Sequence, residues 1–149
     1  MRAVLQRVLK AKVDINEETI SKIDKGIVAL VAVNDTDNID TFKYMFDKII
    51  NLRIFEDAEE KLNLSIKDLN LELLIVPNFT VYADARKGRR PSFVGGAKPD
   101  DAEKIFNNFI LYAKENYEKV KTGIFRADMQ VELINDGPIT ILLDSDKLF

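Results

Sequence analysis

The sequence predicts an α+β fold in which a mixed β-sheet packs against two main helices. Several segments alternate apolar and polar residues as half-buried strands do, and two longer segments carry apolar residues at helical spacing. The chain has 149 residues, the usual size of one domain. We therefore expect a single domain over residues 1–149.

The N-terminal half supplies a first strand, a central strand and a helix. Residues 1–15 alternate, and one face carries Ala3, Leu5, Leu9, Ala11, Val13 and Ile15. Residues 27–33 are apolar and mostly β-branched, which predicts a central strand. Residues 37–51 have the apolar spacing of an amphipathic helix.

The middle of the chain predicts two further strands and a loop. Residues 53–55 are typical of a short strand that ends in an acidic turn, and residues 71–82 of a strand interrupted at Pro77. Residues 86–98 hold three of the six glycines and five basic residues. This composition indicates a long loop.

The last third predicts the second helix and a hairpin. The helix opens at Pro99, runs to about residue 120 and stops at Gly123. A strand over residues 124–134 follows, then a turn at residues 135–138 and a returning strand at residues 139–143.

Composition excludes several kinds of chemistry. The chain contains no Cys and no His, so it has no disulfide, no thiolate nucleophile and no imidazole base. We expect no metal and no cofactor. The net charge is only −3, so any binding of nucleic acid must be local. No apolar run approaches the ~20 residues of a membrane helix and no signal peptide precedes the first strand, so we expect a cytoplasmic protein without a membrane partner.

Arg7 lies on the apolar face of the first strand and is the main anomaly of the pattern. A buried guanidinium keeps its charge and needs acceptors for five N–H donors. The simpler interpretation is a side chain that reaches past the sheet edge or pairs with a carboxylate. The functional one is an Arg that supports a tight turn or faces a partner subunit.

Three other segments carry polar groups that suit a site. Strand alternation over residues 77–82 places Asn78, Thr80 and Tyr82 on one face and Phe79 on the other. The three polar side chains could form the floor of a site, or the segment could be an ordinary edge strand. Without an imidazole, the Thr80 hydroxyl is a poor nucleophile. The cations Arg86, Lys87, Arg89 and Arg90 precede Phe93, a pattern that either grips phosphates beside a stacking plane or forms an ordinary solvated loop.

The third segment is Asn135-Asp136-Gly137-Pro138-Ile139-Thr140. Asn and Asp before Gly-Pro indicate a turn, and a plain hairpin connection is sufficient to explain it. A cis Gly-Pro bond would instead direct two adjacent carbonyls to one side, where they could accept from an ammonium group.

Together these segments resemble the D-aminoacyl-tRNA deacylases, once called D-tyrosyl-tRNA deacylases. The resemblance covers essentially the whole chain, with its segments in the expected order. These segments are Leu5-Gln6-Arg7-Val8; Arg53-Ile54-Phe55 with Asp57; Asn63-Leu64; Arg90-Pro91-Ser92-Phe93; the helix start at Pro99; and Gly123-Ile124-Phe125 with Ala127-Asp128-Met129. The family signature Asn-x-Gly-Pro-x-Thr is intact at residues 135–140. The Ser-Gln-Phe-Thr signature is altered, because Pro77 and Asn78 replace its first two residues.

The resemblance implies a homodimer with a partial barrel that hydrolyses the ester between a D-amino acid and the 3′-terminal adenosine of tRNA, with glycyl-tRNA as a further candidate. It implies that Gly137 and Pro138, with a cis bond between them, enter the partner's site and present carbonyls to the substrate's amino group. Arg7 would hold this element, and Asn135 and Phe93 would belong to the substrate-binding set.

The same resemblance implies that the chain supplies no nucleophile. The ribose 2′-hydroxyl would assist, and backbone N–H groups near Phe79 and Thr80 would stabilise the oxyanion. Asn78 is one methylene shorter than the Gln it replaces, so a substrate contact is lost or water-bridged. Three alternatives stay open: a relative with a trans Gly-Pro bond, a non-catalytic nucleic-acid-binding module, and a purely structural dimer.

Overall fold

The structure is a computed structural model that describes residues 1–149. Its elements follow in the order β1 (Arg2–Ile15), β2 (Glu18–Ile23), β3 (Gly26–Ala32), α1 (Ile39–Asn51), β4 (Phe55–Glu56), β5 (Leu62–Leu64), β6 (Glu72–Pro77), a 3₁₀ turn (Phe79–Tyr82), α2 (Pro99–Asn116), β7 (Val120–Thr122) and β8 (Gln130–Asp144). The predicted α+β class with a mixed sheet and two helices is confirmed. Neither helix has the length and hydropathy that a membrane crossing needs.

β1 organises the sheet. It pairs antiparallel with β3 through its first half, with β2 through its second half, and with β8 along most of its length. β3 continues the sheet to β6 and β7 through parallel pairs. β4 and β5 form a separate two-stranded sheet.

Each face of the sheet has a hydrophobic core. The larger cluster lies under the helices, where Phe109 of α2 meets Phe42 and Phe46 of α1 with ring centroids 5.7 and 6.5 Å apart. The smaller cluster covers the opposite face. Asn38 begins α1 with a capping box, in which its side chain accepts from backbone N–H groups of the first turn.

The prediction that one face of β1 carries a single apolar set is wrong. Leu5 belongs to the larger core, but Ala11 and Val13 belong to the smaller core on the other face, and Leu9 is exposed. The pairing of β1 with β8 shifts register between Gln6 and Val8 and again between Val8 and Lys10. Alternation is lost at such an irregularity, so the two halves of β1 bury opposite faces.

Three predicted elements of the second half are also corrected. β6 ends at Pro77, and the next residues turn instead of extending. α2 ends at Asn116, since Val120 pairs with Leu73 of β6 as part of β7. The predicted hairpin at residues 135–138 does not exist, because β8 runs through it without reversing and stays paired with β1 on both sides.

Candidate active site

The Gly-Pro segment forms a bulge within β8. Asn135 pairs with Val8 and Thr140 pairs with Gln6, so four residues of β8 stand opposite Arg7 alone. We call these residues the 136–139 bulge. The Asn135 side chain closes it, since Oδ1 accepts from the N–H of Ile139 at 2.7 Å and Nδ2 donates to the Ile139 carbonyl at 3.1 Å. Both ends of this amide are used within the bulge.

Gly137 is required by its position in the bulge. Its φ is +129°, and a Cβ there would lie 2.8 Å from Cγ1 of Ile139 and 3.0 Å from the Ile139 nitrogen. L side chains rarely adopt this backbone region. The bond from Gly137 to Pro138 is cis, as the resemblance implies.

Arg7 lies beneath the bulge and is 4% exposed. Its Nε donates to the Asp136 carbonyl at 3.0 Å, and its Nη1 donates to the Ile54 carbonyl and to Oε2 of Glu56, both at 2.8 Å. The hydrogen bond from Arg7 lowers the pKa of Glu56 below its ordinary value. Arg7 thus pairs with carboxylates, as the simpler interpretation expects, and also donates to a carbonyl of the bulge, as the functional one expects.

The residues predicted to share a strand face lie instead in the 3₁₀ turn that follows β6. Asn78 begins the turn, and its Oδ1 accepts from the Thr80 N–H at 3.2 Å and from the Thr80 hydroxyl at 2.5 Å. Tyr82 is buried, whereas Phe79 is 63% exposed. The one-face prediction is wrong because the period of a 3₁₀ turn differs from that of a strand.

Phe79 and Phe93 form an exposed aromatic pair beside the basic loop, which we define as residues 86–90. Their ring centroids lie 5.1 Å apart with nearly perpendicular planes. Phe93 follows Ser92, whose backbone exchanges two hydrogen bonds with Asp84 and so closes the loop. The sequence indicated the nearness of Phe93 to the cations but not its contact with Phe79.

The four cations of the basic loop are not equivalent. Arg86 donates from Nε and Nη2 to the two carboxylate oxygens of Asp84, at 2.9 and 2.7 Å. This ion pair lowers the pKa of Asp84 to about 2. Lys87, Arg89 and Arg90 are exposed and make no ion pair. Three cations are thus free for an anionic ligand, and Arg86 is engaged.

The bulge and the 3₁₀ turn belong to different strands of the sheet. Arg7, opposite the bulge, pairs with Ile27 of β3, whereas Pro77, before the turn, pairs with Val31. Counted along the sheet, the path from the bulge to the turn crosses three strand spacings, roughly 14 Å, and four residues along the strands, roughly 13 Å.

Sequence reasoning missed Glu56 and Asp136 as partners of Arg7. The charge of Arg7 demands acceptors but does not say where in the chain they lie, and the family resemblance pointed only to the Gly-Pro element as a whole. No cluster of three or more acidic side chains is arranged to hold a metal ion.

The chain is thus an α+β protein with a Gly-Pro bulge held by Arg7, an exposed aromatic pair and a basic loop. A family model described as D-Tyr-tRNA(Tyr) deacylase matches residues 4–144. The chain is 53% identical to a D-aminoacyl-tRNA deacylase of Thermosipho africanus and 52% identical to one of Halothermothrix orenii, each over the whole of both chains. The chain therefore belongs to the D-aminoacyl-tRNA deacylase family, whose members are hydrolases acting on ester bonds.

Two solved structures share the fold. One, titled c-Myc DNA Unwinding Element Binding Protein, is 39% identical with a TM-score of 0.91, over 97% of this chain and 98% of the other. The second, a probable eukaryotic D-amino acid tRNA deacylase, has a TM-score of 0.82 over 95% of this chain and 97% of the other. It is 15% identical, so it shows the likeness of fold alone.

Proposed function

We propose that this chain hydrolyses the ester between a D-amino acid and the 3′-terminal adenosine of tRNA and leaves the L-aminoacyl ester intact. Membership of the family along nearly the full chain supports the reaction class. The observation that carries the selectivity is the 136–139 bulge, fastened by Arg7 on one side and Asn135 on the other.

In this proposal the carbonyls of Gly137 and Pro138 accept from the α-ammonium group of the substrate. A rigid acceptor pair fixes the ammonium, so the side chain of an L-amino acid is directed into the bulge and clashes, whereas that of a D-amino acid points away. Exclusion by backbone needs no side-chain pocket, so many D-amino acids fit. Glycine has no side chain to exclude, and glycyl-tRNA is included in the proposed substrates.

The functional unit is proposed to be a homodimer in which the bulge of one chain enters the site of the other. The three strand spacings that lie between bulge and turn along the sheet support this arrangement. So does β8, a strand of 15 residues whose only partner in the sheet is β1. An unpaired edge of that length is a surface that proteins usually cover.

Hydrolysis itself requires water to attack the ester carbonyl carbon and the ribose 3′-oxygen to leave with a proton. We assign the proton handling to the ribose 2′-hydroxyl and the stabilisation of the oxyanion to backbone N–H groups at Phe79 and Thr80. Thr80 acts by position, since its hydroxyl donates to Asn78 and the chain has no imidazole to activate it.

Recognition of the tRNA end is assigned to the basic loop and its aromatic neighbours. In this proposal Lys87, Arg89 and Arg90 contact backbone phosphates. Arg86 is the fourth cation of the loop, and its side chain is paired with Asp84. Phe93, packed against Phe79, offers a stacking plane. We place the protein in the cytoplasm, where aminoacyl-tRNA is used, with no membrane partner.

The test is hydrolysis of matched D-tyrosyl- and L-tyrosyl-tRNA by catalytic amounts of purified protein. Loss of the D ester alone supports the proposal, and loss of both would remove the role assigned to the bulge.

A second candidate, a non-catalytic nucleic-acid-binding module, is favoured by the basic loop and by the name of the 39% identical structure, a DNA unwinding element binding protein. Binding of tRNA without hydrolysis of either ester would support that candidate instead.

A further inference from the structure

Three consecutive residues around β4 surround the guanidinium of Arg7. Ile54 offers its backbone carbonyl and Glu56 its carboxylate, each 2.8 Å from Nη1. Between them, Phe55 presents its ring 5.7 Å from Cζ. The proposed function gives these residues no part, although the sequence singled out their segment.

The contacts of β4 set the orientation of the whole Arg7 head group. A guanidinium is planar and rigid, so fixing Nη1 also fixes the direction of Nε. That Nε donates to the Asp136 carbonyl at 3.0 Å and lies 3.3 Å from Oδ2 of the Asp136 carboxylate. Two acceptors of one residue therefore compete for Nε, and only the carbonyl belongs to the backbone of the bulge.

Glu56 is the second anionic partner of Arg7. Its carboxylate makes a charge-assisted hydrogen bond with Nη1, which offsets the attraction of Arg7 to the Asp136 carboxylate. Without Glu56, the carboxylate of Asp136 is the remaining anionic partner of Arg7. Movement of Nε towards it would release the backbone carbonyl that holds the bulge.

We propose that Glu56 is a positioning residue that acts through Arg7 to hold the 136–139 bulge, and thereby sets the preference for D over L substrates. This inference rests on the proposed function of the bulge. The Glu56 side chain is 43% exposed, and its effect on the bulge runs through its hydrogen bond with Arg7.

The test compares Glu56→Ala and Glu56→Gln with the control Glu59→Gln. Glu59 lies in the adjacent turn, is exposed and pairs with Lys61 at 2.7 Å, so it matches the charge change without touching Arg7. We expect Glu56→Ala to lower the ratio of D- to L-tyrosyl-tRNA hydrolysis roughly tenfold, because the variant loses one charge-assisted hydrogen bond to Arg7. Glu56→Gln keeps an acceptor and should lose less, and Glu59→Gln should equal the parent protein.

A second readout is independent of activity. The Nε–H resonance of Arg7, assigned by its loss in Arg7→Lys, should shift and exchange faster with water in Glu56→Ala than in Glu59→Gln. An unchanged D-to-L ratio together with an unchanged Arg7 resonance would overturn the inference. If the parent protein hydrolyses neither ester, the proposed function fails, and the resonance still decides whether Glu56 orients Arg7.

Discussion

Two features of position 137 require glycine: the backbone conformation and the lack of space for a Cβ. Its φ of +129° is unfavourable for any L residue, and the space where a Cβ would lie is taken by Ile139. Gly88 in the basic loop shares the first feature, with a φ of +72°, but an added Cβ there meets nothing within 4 Å. A comparison of substitutions at the two glycines therefore distinguishes the cost of backbone strain from the cost of crowding.

We expect Gly137→Ala to be destabilised by at least about 2 kcal/mol, because strain and crowding add, and Gly88→Ala by about 1 kcal/mol from strain alone. Urea unfolding of both variants gives the two free energies of unfolding. Gly137→Ala should also lose deacylation of D-tyrosyl-tRNA. Equal destabilisation of the two variants would contradict the crowding at Ile139.

At the scale of elements, local pattern predicted those parts whose partners are nearby. The central strand, both helices and the polar segments at residues 78–80 and 135–140 were recognisable because alternation, helical spacing and turn residues are local signals. The face change of β1 and the continuous β8 were not, because each depends on the register between two strands more than a hundred residues apart. A bulge and a hairpin turn use the same residue types.

Of the candidate site, the sequence predicted the residue types and their segments but not their internal bonds. The pairing of Asn78 with Thr80 and of Arg86 with Asp84 depends on turn geometry that alternation does not reveal. The contacts between Arg7, Glu56 and Asp136 join three distant segments. The charge of Arg7 predicted that such partners exist without identifying them.

The basic loop yields a prediction about its one engaged cation. Asp84→Asn removes the charge that holds Arg86, so this cation becomes available to phosphates. We expect tighter binding of deacylated tRNA, with the slope of log K against log salt steeper by about 0.7 to 0.9, the value of one added phosphate contact. The control Glu115→Gln changes the same charge on the exposed surface of α2. Equal salt slopes for the two variants would mean that Arg86 does not reach the tRNA.

At the scale of the whole molecule, the separation of bulge and turn makes the proposed dimer testable by mixing. One variant carries Phe79→Ala with Thr80→Ala, the other carries Gly137→Ala, and each alone should be inactive. After unfolding and refolding together, a mixed dimer contains one site with an intact turn from one chain and an intact bulge from the other.

An equal mixture should therefore recover about a quarter of the parent activity, because half of the dimers are mixed and each has one intact site of two. Release of D-tyrosine from its tRNA measures the recovery, and refolding each variant alone is the control. Recovery should be absent if bulge and turn of the same chain form the site.

The groups that hold the bulge do not titrate in the physiological range. A guanidinium stays protonated, and the pKa of Glu56 is held below its ordinary value of 4.5 by Arg7. A lowered carboxyl pKa means that the anion persists at every higher pH and is lost only as acid protonates it. The contact between Glu56 and Arg7 should therefore stay constant from about pH 5 upwards, so a change in the discrimination between mirror-image substrates in that range reports the ionisation of the substrate's own amino group.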